Sequence, residues 1–477
     1  MKLQYIFLNP LRSLAVLCIS CSTLLAGSPA SQEVKSSDSG LSEWWNGKKM
    51  TGNWFGFRDT LADNGLTFHG KYYGAYFGVV DSQKGGHGFW DEGIEFGAEQ
   101  NFGKLLRREG LEGVKGFAQF RYRDSQRSAD PNQYSMGYSM FNPSNWISGT
   151  QFRVLSFGLE VGSEDLLPVK DQLVFRGGWL QPQKEFLDQP LSKLFLNNAV
   201  NSAKGLGGNI PFSSSFSTWG GTLKVKPVDW QYVKGGVFMA YPEATASGNH
   251  GMAFEGFAPD PSRNGLMAMV ETGITPNIGT SALPGKYAVG GYYYGGQRNS
   301  FNGTSQYGQY GFYFQADQML YREPSPESSL LSKKSSDGKA AVGEKNFKEP
   351  VAMEKPKLSK QGLGVFNVVS FAPKYNNLIP FYFHSGFVYT GLLPHRDADQ
   401  TIFSVAYGSY SHQNIQNLQN SGRENQPNYT MFLEGGYRIA INEWAFFQPF
   451  IQYEIRPAGT GAVANATILG FTTGLTF

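Results

Sequence analysis

Beyond residue 65 the chain alternates apolar with polar positions. In GIEFGAEQNF the set Ile94, Phe96, Ala98 and Phe102 is apolar with only Gln100 against it, while Glu95, Gly97, Glu99 and Asn101 hold the other face. A period of two belongs to a β-strand with unlike surroundings on its two faces. The next run, GVKGFAQFRYR, sets Val114, Gly116, Ala118, Phe120 and Tyr122 against Lys115, Phe117, Gln119, Arg121 and Arg123. The short GKLLRREGLEG between them predicts an antiparallel pair. Further strands are predicted in LTFHGKYYGAYFGVV, DQLVFRGGWL, WGGTLKVKPVDW, WQYVKGGVFMAY, LMAMVETGIT, YAVGGYYYGG, YGFYFQADQML, GVFNVVSFAP, LIPFYFHSGFVYTG, TIFSVAYGSYS, MFLEGGYRIAI, FFQPFIQYEI and TILGFTTGLTF, separated by stretches rich in Gly, Asn, Asp and Pro. In MFLEGGYRIAI, Met431, Leu433, Gly435, Tyr437, Ile439 and Ile441 oppose Glu434, Gly436 and Arg438. No segment of helical periodicity competes in length. Soluble sandwiches share such alternation, so it does not by itself decide what surrounds the strands.

Composition does. With 59 Gly, 25 Tyr, 37 Phe and 9 Trp, aromatics reach 15% while charged residues are only 17%, below the roughly 25% usual for soluble domains. Mean hydropathy is −0.33, and beyond the first 30 residues no run is long and apolar enough for a membrane helix. A transmembrane antiparallel β-barrel, an all-β fold whose lipid face uses alternate residues, fits both facts. Residues 1–30 read as a cleaved signal peptide: Lys2 and Arg12 precede an apolar stretch from Leu14 to Ala26, then LAGSPASQ, with cleavage after Ala26, Ser28 or Ala30. Cys18 and Cys21, the only cysteines, fall inside it. The missing Leu three positions before Cys21 disfavours lipidation there. Disulfides, thiol catalysis and Cys-ligated metal are thereby removed from the mature chain. Without Lys2 and Arg12, 41 basic residues become 39 against 38 acids, a net charge of +1, which offers no global field for nucleic acid.

Leu469, Phe471, Thr473, Leu475 and Phe477 share one face of a final strand that stops at an aromatic residue. This resembles the terminal strand that bacterial barrel-assembly machinery recognises, which makes Phe477 its expected contact. Residues 66–477 form the expected barrel, its outer face on outer-membrane lipid and lipopolysaccharide. Two segments stand apart. Residues 31–65 run from the polar SQEVKSSDSG into one or two helical turns over Phe57 to Asn64, a short N-terminal helical segment expected to cap or plug the barrel end. Residues 322–361 are rich in Lys, Glu, Ser and Pro, the composition of a mobile solvated loop; long loops of such barrels lie outside, so an extracellular position is expected.

Six blocks, in order, resemble the OprB-type carbohydrate-selective porin family: MTGNWFGFRDTLADNGLTF, FLDQPLSKLFLNNAVNS, LPGKYAVGGYYYGG, YGQYGFYFQADQMLYR, the GLLPHRDADQ turn and QPFIQYEIRPAGTG, followed by the closing NATILGFTTGLTF. The resemblance covers about Met50 to Phe477. Three departures stand out: Phe55 and Ala458 occupy positions where the family tends to have Gly, and 322–361 is longer than expected. The resemblance implies 16 strands, a short helical piece before them, and diffusion of monosaccharides or similar small sugars. The 412 residues from Leu66 to Phe477, divided by 16, give roughly 26 per strand and connection, which suits tilted strands of about ten residues. Whether such barrels stand alone or form trimers is left open.

A porin needs a wet constriction whose lining replaces a solute's hydration without holding it. Strand parity points Glu95, Glu99, Gln119, Arg121 and Arg123 into the lumen, with His69, Lys71 and Tyr73 on the strand before. Such groups suit sugars, whose hydroxyls bond carboxylates and guanidinium groups together and whose apolar faces lie on aromatic rings. They are equally the charges that any wide channel wall carries. Tyr292, Tyr293 and Tyr294 read as an interfacial girdle. The six histidines lack metal spacing, no cofactor is expected, and Asp397 and Asp399 beside His395 read as a solvated turn. A barrel enzyme finds no GxSxG nucleophile motif. An adhesion barrel, and a general or anion-selective small-solute porin, are the remaining alternatives.

Overall fold

The computed structural model describes residues 37–82, 86–125, 141–144, 150–209, 216–240, 250–252, 254, 265–324 and 359–477. The expected signal peptide and most of 322–361 lie outside the described residues. Residues 37–46 belong to a unit of their own, in which Ser37–Trp45 is helical.

The remainder is a closed antiparallel barrel of 16 strands. In chain order these are β1 Leu66–Asp81, β2 His87–Asn101, β3 Val114–Ser125, β4 Gln151–Gly162, β5 Leu173–Leu180, β6 Thr218–Val228, β7 Gln231–Ala240 and β8 Gly265–Ile274. They continue as β9 Leu283–Asn299, β10 Ser305–Arg322, β11 Gly362–Phe371, β12 Phe381–Thr390, β13 Gln400–Ser409, β14 Tyr429–Ala440, β15 Ala445–Ile455 and β16 Ala466–Thr476. Each pairs with its chain neighbours, and a two-residue ladder, Asn277–Ile278, adds to the start of β9. β1 pairs with β16, Tyr76 opposite Phe471, which closes the cylinder and leaves no sheet edge exposed. Gly70 and Phe477 exchange backbone hydrogen bonds of 2.9 and 3.0 Å across that seam, and the Phe477 ring lies where a Cβ on residue 70 would stand.

Parity holds along the strands. Phe96, Tyr122, Phe175, Val237, Val289, Phe312, Ile451 and Leu469 are exposed on the outer face, where lipid takes the place of water. Inward positions are buried or polar. β4 breaks the rule, and the alternation read from sequence does not reveal it. Gln119 faces Ser156 but Phe120 faces Val154, so Leu155 is an extra residue that bulges the strand and switches its faces. The three tyrosines divide: Tyr293 points outward, while Tyr292 and Tyr294 are buried in the interior, so only one of them can belong to a girdle.

The helical turns expected after residue 56 are present at Phe57–Asp63. Segment 47–65 is bound to the barrel rim: the Met50 N–H donates to the Thr476 carbonyl (2.8 Å), Lys49 Nζ to the Phe68 carbonyl (3.1 Å) and Gln100 Nε2 to the Asn64 carbonyl (3.0 Å).

Strand direction also fixes where the 322–361 segment is rooted. Its roots, Arg322 and Gly362, face each other at the end of the barrel that also carries Leu66, Phe477, the two-residue turn between β6 and β7 and the four-residue turn between β14 and β15. Arg322 Nη1 donates to Ser281 in the β8–β9 turn (2.9 Å). Short turns mark the periplasmic end of such barrels. The roots of 322–361 thus stand at the end that carries the short turns.

Candidate functional site

Residues 181–209 of the connection between β5 and β6 turn into the barrel. Their short helices, Pro182–Glu185, Leu191–Leu194, Asn198–Asn201 and Lys204–Gly207, are separated by extended residues. A backbone of this kind inside a barrel must find partners, and the inner wall supplies them. The Glu434 carboxylate accepts from the Leu196 and Asn197 N–H groups at 2.8 and 2.9 Å, Gln448 Nε2 donates to the Leu194 carbonyl at 3.0 Å, and Gln189 bridges Asn367 and His384 at 2.9 and 3.0 Å. Asn209 exchanges two 2.8 Å bonds with Ile379, and the Tyr382 hydroxyl donates to the Ala199 carbonyl. Phe186, Leu187, Phe195, Leu196, Val200 and Leu206 pack against inward residues of the wall such as Phe238, Met269, Tyr313, Phe366, Ile402 and Phe432. One side of the lumen is thus filled by a core.

Among the described residues the other side stays open. A cavity of about 670 Å³ lies between this inserted segment and the inner faces of β1–β7 and β14–β16. Five of the residues placed in the lumen by parity line it: Lys71, Tyr73, Glu95, Gln119 and Arg121. Arg121 Nε donates to Glu95 Oε1 at 2.7 Å, an ion pair across adjacent strands in register. Lys184, on the inserted segment, donates to Gln119 Oε1 at 2.9 Å. Glu99 and Arg123 lie apart from the cavity: Glu99 is exposed nearer the turn end, and Arg123 is buried, donating to Gln151 Oε1 at 2.8 Å. His69 is also absent from the lining.

Several lining charges escaped the sequence reading. Glu185 binds Lys234 (3.1 Å) and Arg176 (3.3 Å), and Arg176 stacks over Phe117 with 3.9 Å from Cζ to the ring centre. Arg438 lies 3.9 Å over Phe446 and donates to Gln448 at 2.6 Å. Parity already directed Arg438 inward, and Lys224 and Lys226 share one face of WGGTLKVKPVDW, so these carried a signal. Lys184, Glu185, Asp188 and Lys193 carried none, because nothing local marks a connection that folds inward. Withdrawal from bulk water inside the barrel brings the pKa of Lys184 down to about 8, with Glu95 opposing the shift and Arg121, Lys193 and Arg176 adding to it; Lys193 shifts the same way for the same reason.

The lining offers fixed donors, fixed acceptors and aromatic faces around one water-accessible space, which is what passage of a hydroxylated solute requires. A family model described as "Carbohydrate-selective porin, OprB family" matches residues 98–477. The chain belongs to the OprB family of carbohydrate-selective porins. It is accordingly an outer-membrane channel and not an enzyme. Pseudomonas putida OprB shares its fold: the structure determined at high pH superposes with a TM-score of 0.74 at 19% identity, over 91% of this chain and 99% of that one. The low-pH structure of the same protein gives 0.54 at 16% identity over the same shares. No curated protein sequence matches the chain.

Proposed function

We propose that small sugars cross this OprB-family porin through the cavity beside the 181–209 segment, with Lys71, Tyr73, Glu95, Gln119 and Arg121 as its hydrogen-bonding wall. The Glu95–Arg121 pair is the observation that carries the reading. It holds an acceptor and a donor at fixed separation on the cavity wall, opposite Lys184, so that adjacent hydroxyls of one sugar ring can bond both. Because each of those groups already has a protein partner, a sugar exchanges one set of bonds for another and is released readily, as conduction demands. Glu99, exposed outside the cavity, acts in the wider lumen, and Arg123 supports the wall from behind through Gln151.

Osmotic swelling of liposomes containing the purified protein tests this, with glucose compared against neutral amino acids of similar size. Glucose is expected to enter faster, and Arg121→Gln to slow glucose more than it slows the amino acids. Equal rates for both solutes would leave only a general small-solute pore.

A further inference from the structure

Resting on the passage just proposed, we infer that it selects carbohydrates bearing an anionic group, a carboxylate or a phosphate, over neutral sugars. The charge of the lining is lopsided. Nine of the residues around the cavity are Lys or Arg and five are Asp or Glu, an excess of 9 − 5 = +4. The full chain carries only +3, so the remaining residues sum to 3 − 4 = −1, and the excess is concentrated around the proposed passage.

Pairing sharpens the imbalance. Three of the five carboxylates are neutralised on the spot: Glu95 by Arg121, Glu160 by Lys115 and Arg176, and Glu185 by Arg176 and Lys234. Lys71, Lys184, Lys193, Lys224 and Lys226 have no carboxylate within ion-pair distance among the described residues. They are also spread along the path. Lys224 and Lys226 lie toward the turn end of β6, Lys71 sits on the wall at β1, and Lys184 and Lys193 project from the inserted segment. Charges lining a narrow, low-dielectric wall focus the field along its axis and raise the local concentration of counter-ions. Each ammonium offers three donors without fixing a geometry, so an anionic group can be passed from one to the next. Glu95 and Gln119 remain to accept from the hydroxyls, and a simple anion lacks these.

Ion current through the full-length porin in planar bilayers tests the inference, with glucose, gluconate, glucose 6-phosphate, acetate and inorganic phosphate added as blockers. Gluconate is expected to halve the current at a concentration roughly tenfold below that of glucose, the span of one added charge-assisted contact. The joint variant Lys224→Gln, Lys226→Gln is expected to close most of that gap while still conducting. Block by gluconate alone assigns a carboxylate, and block by glucose 6-phosphate as well extends the class to phosphorylated sugars. Glucose blocking as well as gluconate overturns the inference and leaves the sugar passage standing. Acetate and inorganic phosphate blocking as well as their sugar counterparts also overturns it, since the lining would then read charge without carbohydrate. Block by none of the five would sink the proposed passage itself.

Discussion

Two residues set apart by comparison with the family pattern share one backbone property. Phe55 and Ala458 stand where glycine is usual, and both adopt left-handed angles, with φ of 58° and 57°. A side chain in that region costs roughly 1–2 kcal/mol. Phe55 is fully exposed and Ala458 half-buried, so neither offers much packing in return. Phe55→Gly and Ala458→Gly are each expected to stabilise the barrel by about 1 kcal/mol after the entropy that glycine loses on folding, read as a later midpoint of urea unfolding followed by gel mobility. Lys184 gives a second residue-scale expectation. Its pKa of about 8 means that it is mostly protonated at neutral pH and loses its charge as pH rises to 9.5. With Glu95 facing it from the wall and Arg121, Arg176 and Lys193 around it, its deprotonation removes one cation from the passage. Chloride preference, measured as a reversal potential in a KCl gradient, should fall over that interval, and fall less in Lys184→Gln. Parity made Lys71, Tyr73, Glu95, Gln119 and Arg121 legible from sequence because inward and outward residues alternate strictly on β1, β2 and β3. Glu99 and Arg123 lie outside the cavity, since facing the lumen is set by the strand while lining the cavity is set by what fills the barrel.

At the scale of elements, the inserted 181–209 segment decides the shape of the passage, and Glu434 is its principal anchor among the described contacts. That carboxylate is buried and accepts from two successive backbone N–H groups and from Gln452 Nε2 at 3.1 Å. Leaving the two buried N–H groups without their acceptor costs about 1–3 kcal/mol each, so Glu434→Ala should loosen the segment without opening the barrel. Single-channel conductance is expected to rise and discrimination between glucose and a disaccharide in liposome swelling to fall; unchanged conductance would mean that the apolar packing alone holds the segment. Fifteen strands were legible as alternating runs, and β4 was not, because the extra residue Leu155 reverses its faces midway. The inserted segment was visible only as a block of residues resembling the family. Its side chains satisfy partners more than 150 residues away, such as Asn367 for Gln189 and Ile379 for Asn209, and no local pattern encodes contacts at that distance.

For the molecule as a whole, closure of β1 on β16 fixes the direction of every strand and hence the side on which each connection emerges. Both roots of the 322–361 segment lie at the short-turn end, and we propose that it is periplasmic. An epitope tag placed in it should stay unlabelled by antibody on intact cells and become accessible once the outer membrane is permeabilised; labelling of intact cells would reverse the assignment. The central claim, that sugar moves through the cavity beside the inserted segment, has a direct test, since both native cysteines lie within the first 30 residues. Gln119→Cys, modified with a bulky maleimide, is expected to abolish glucose-driven swelling of liposomes, while Tyr293→Cys, modified on the outer face, is expected to leave it intact. Undiminished glucose entry through the fully modified Gln119→Cys protein would contradict the account.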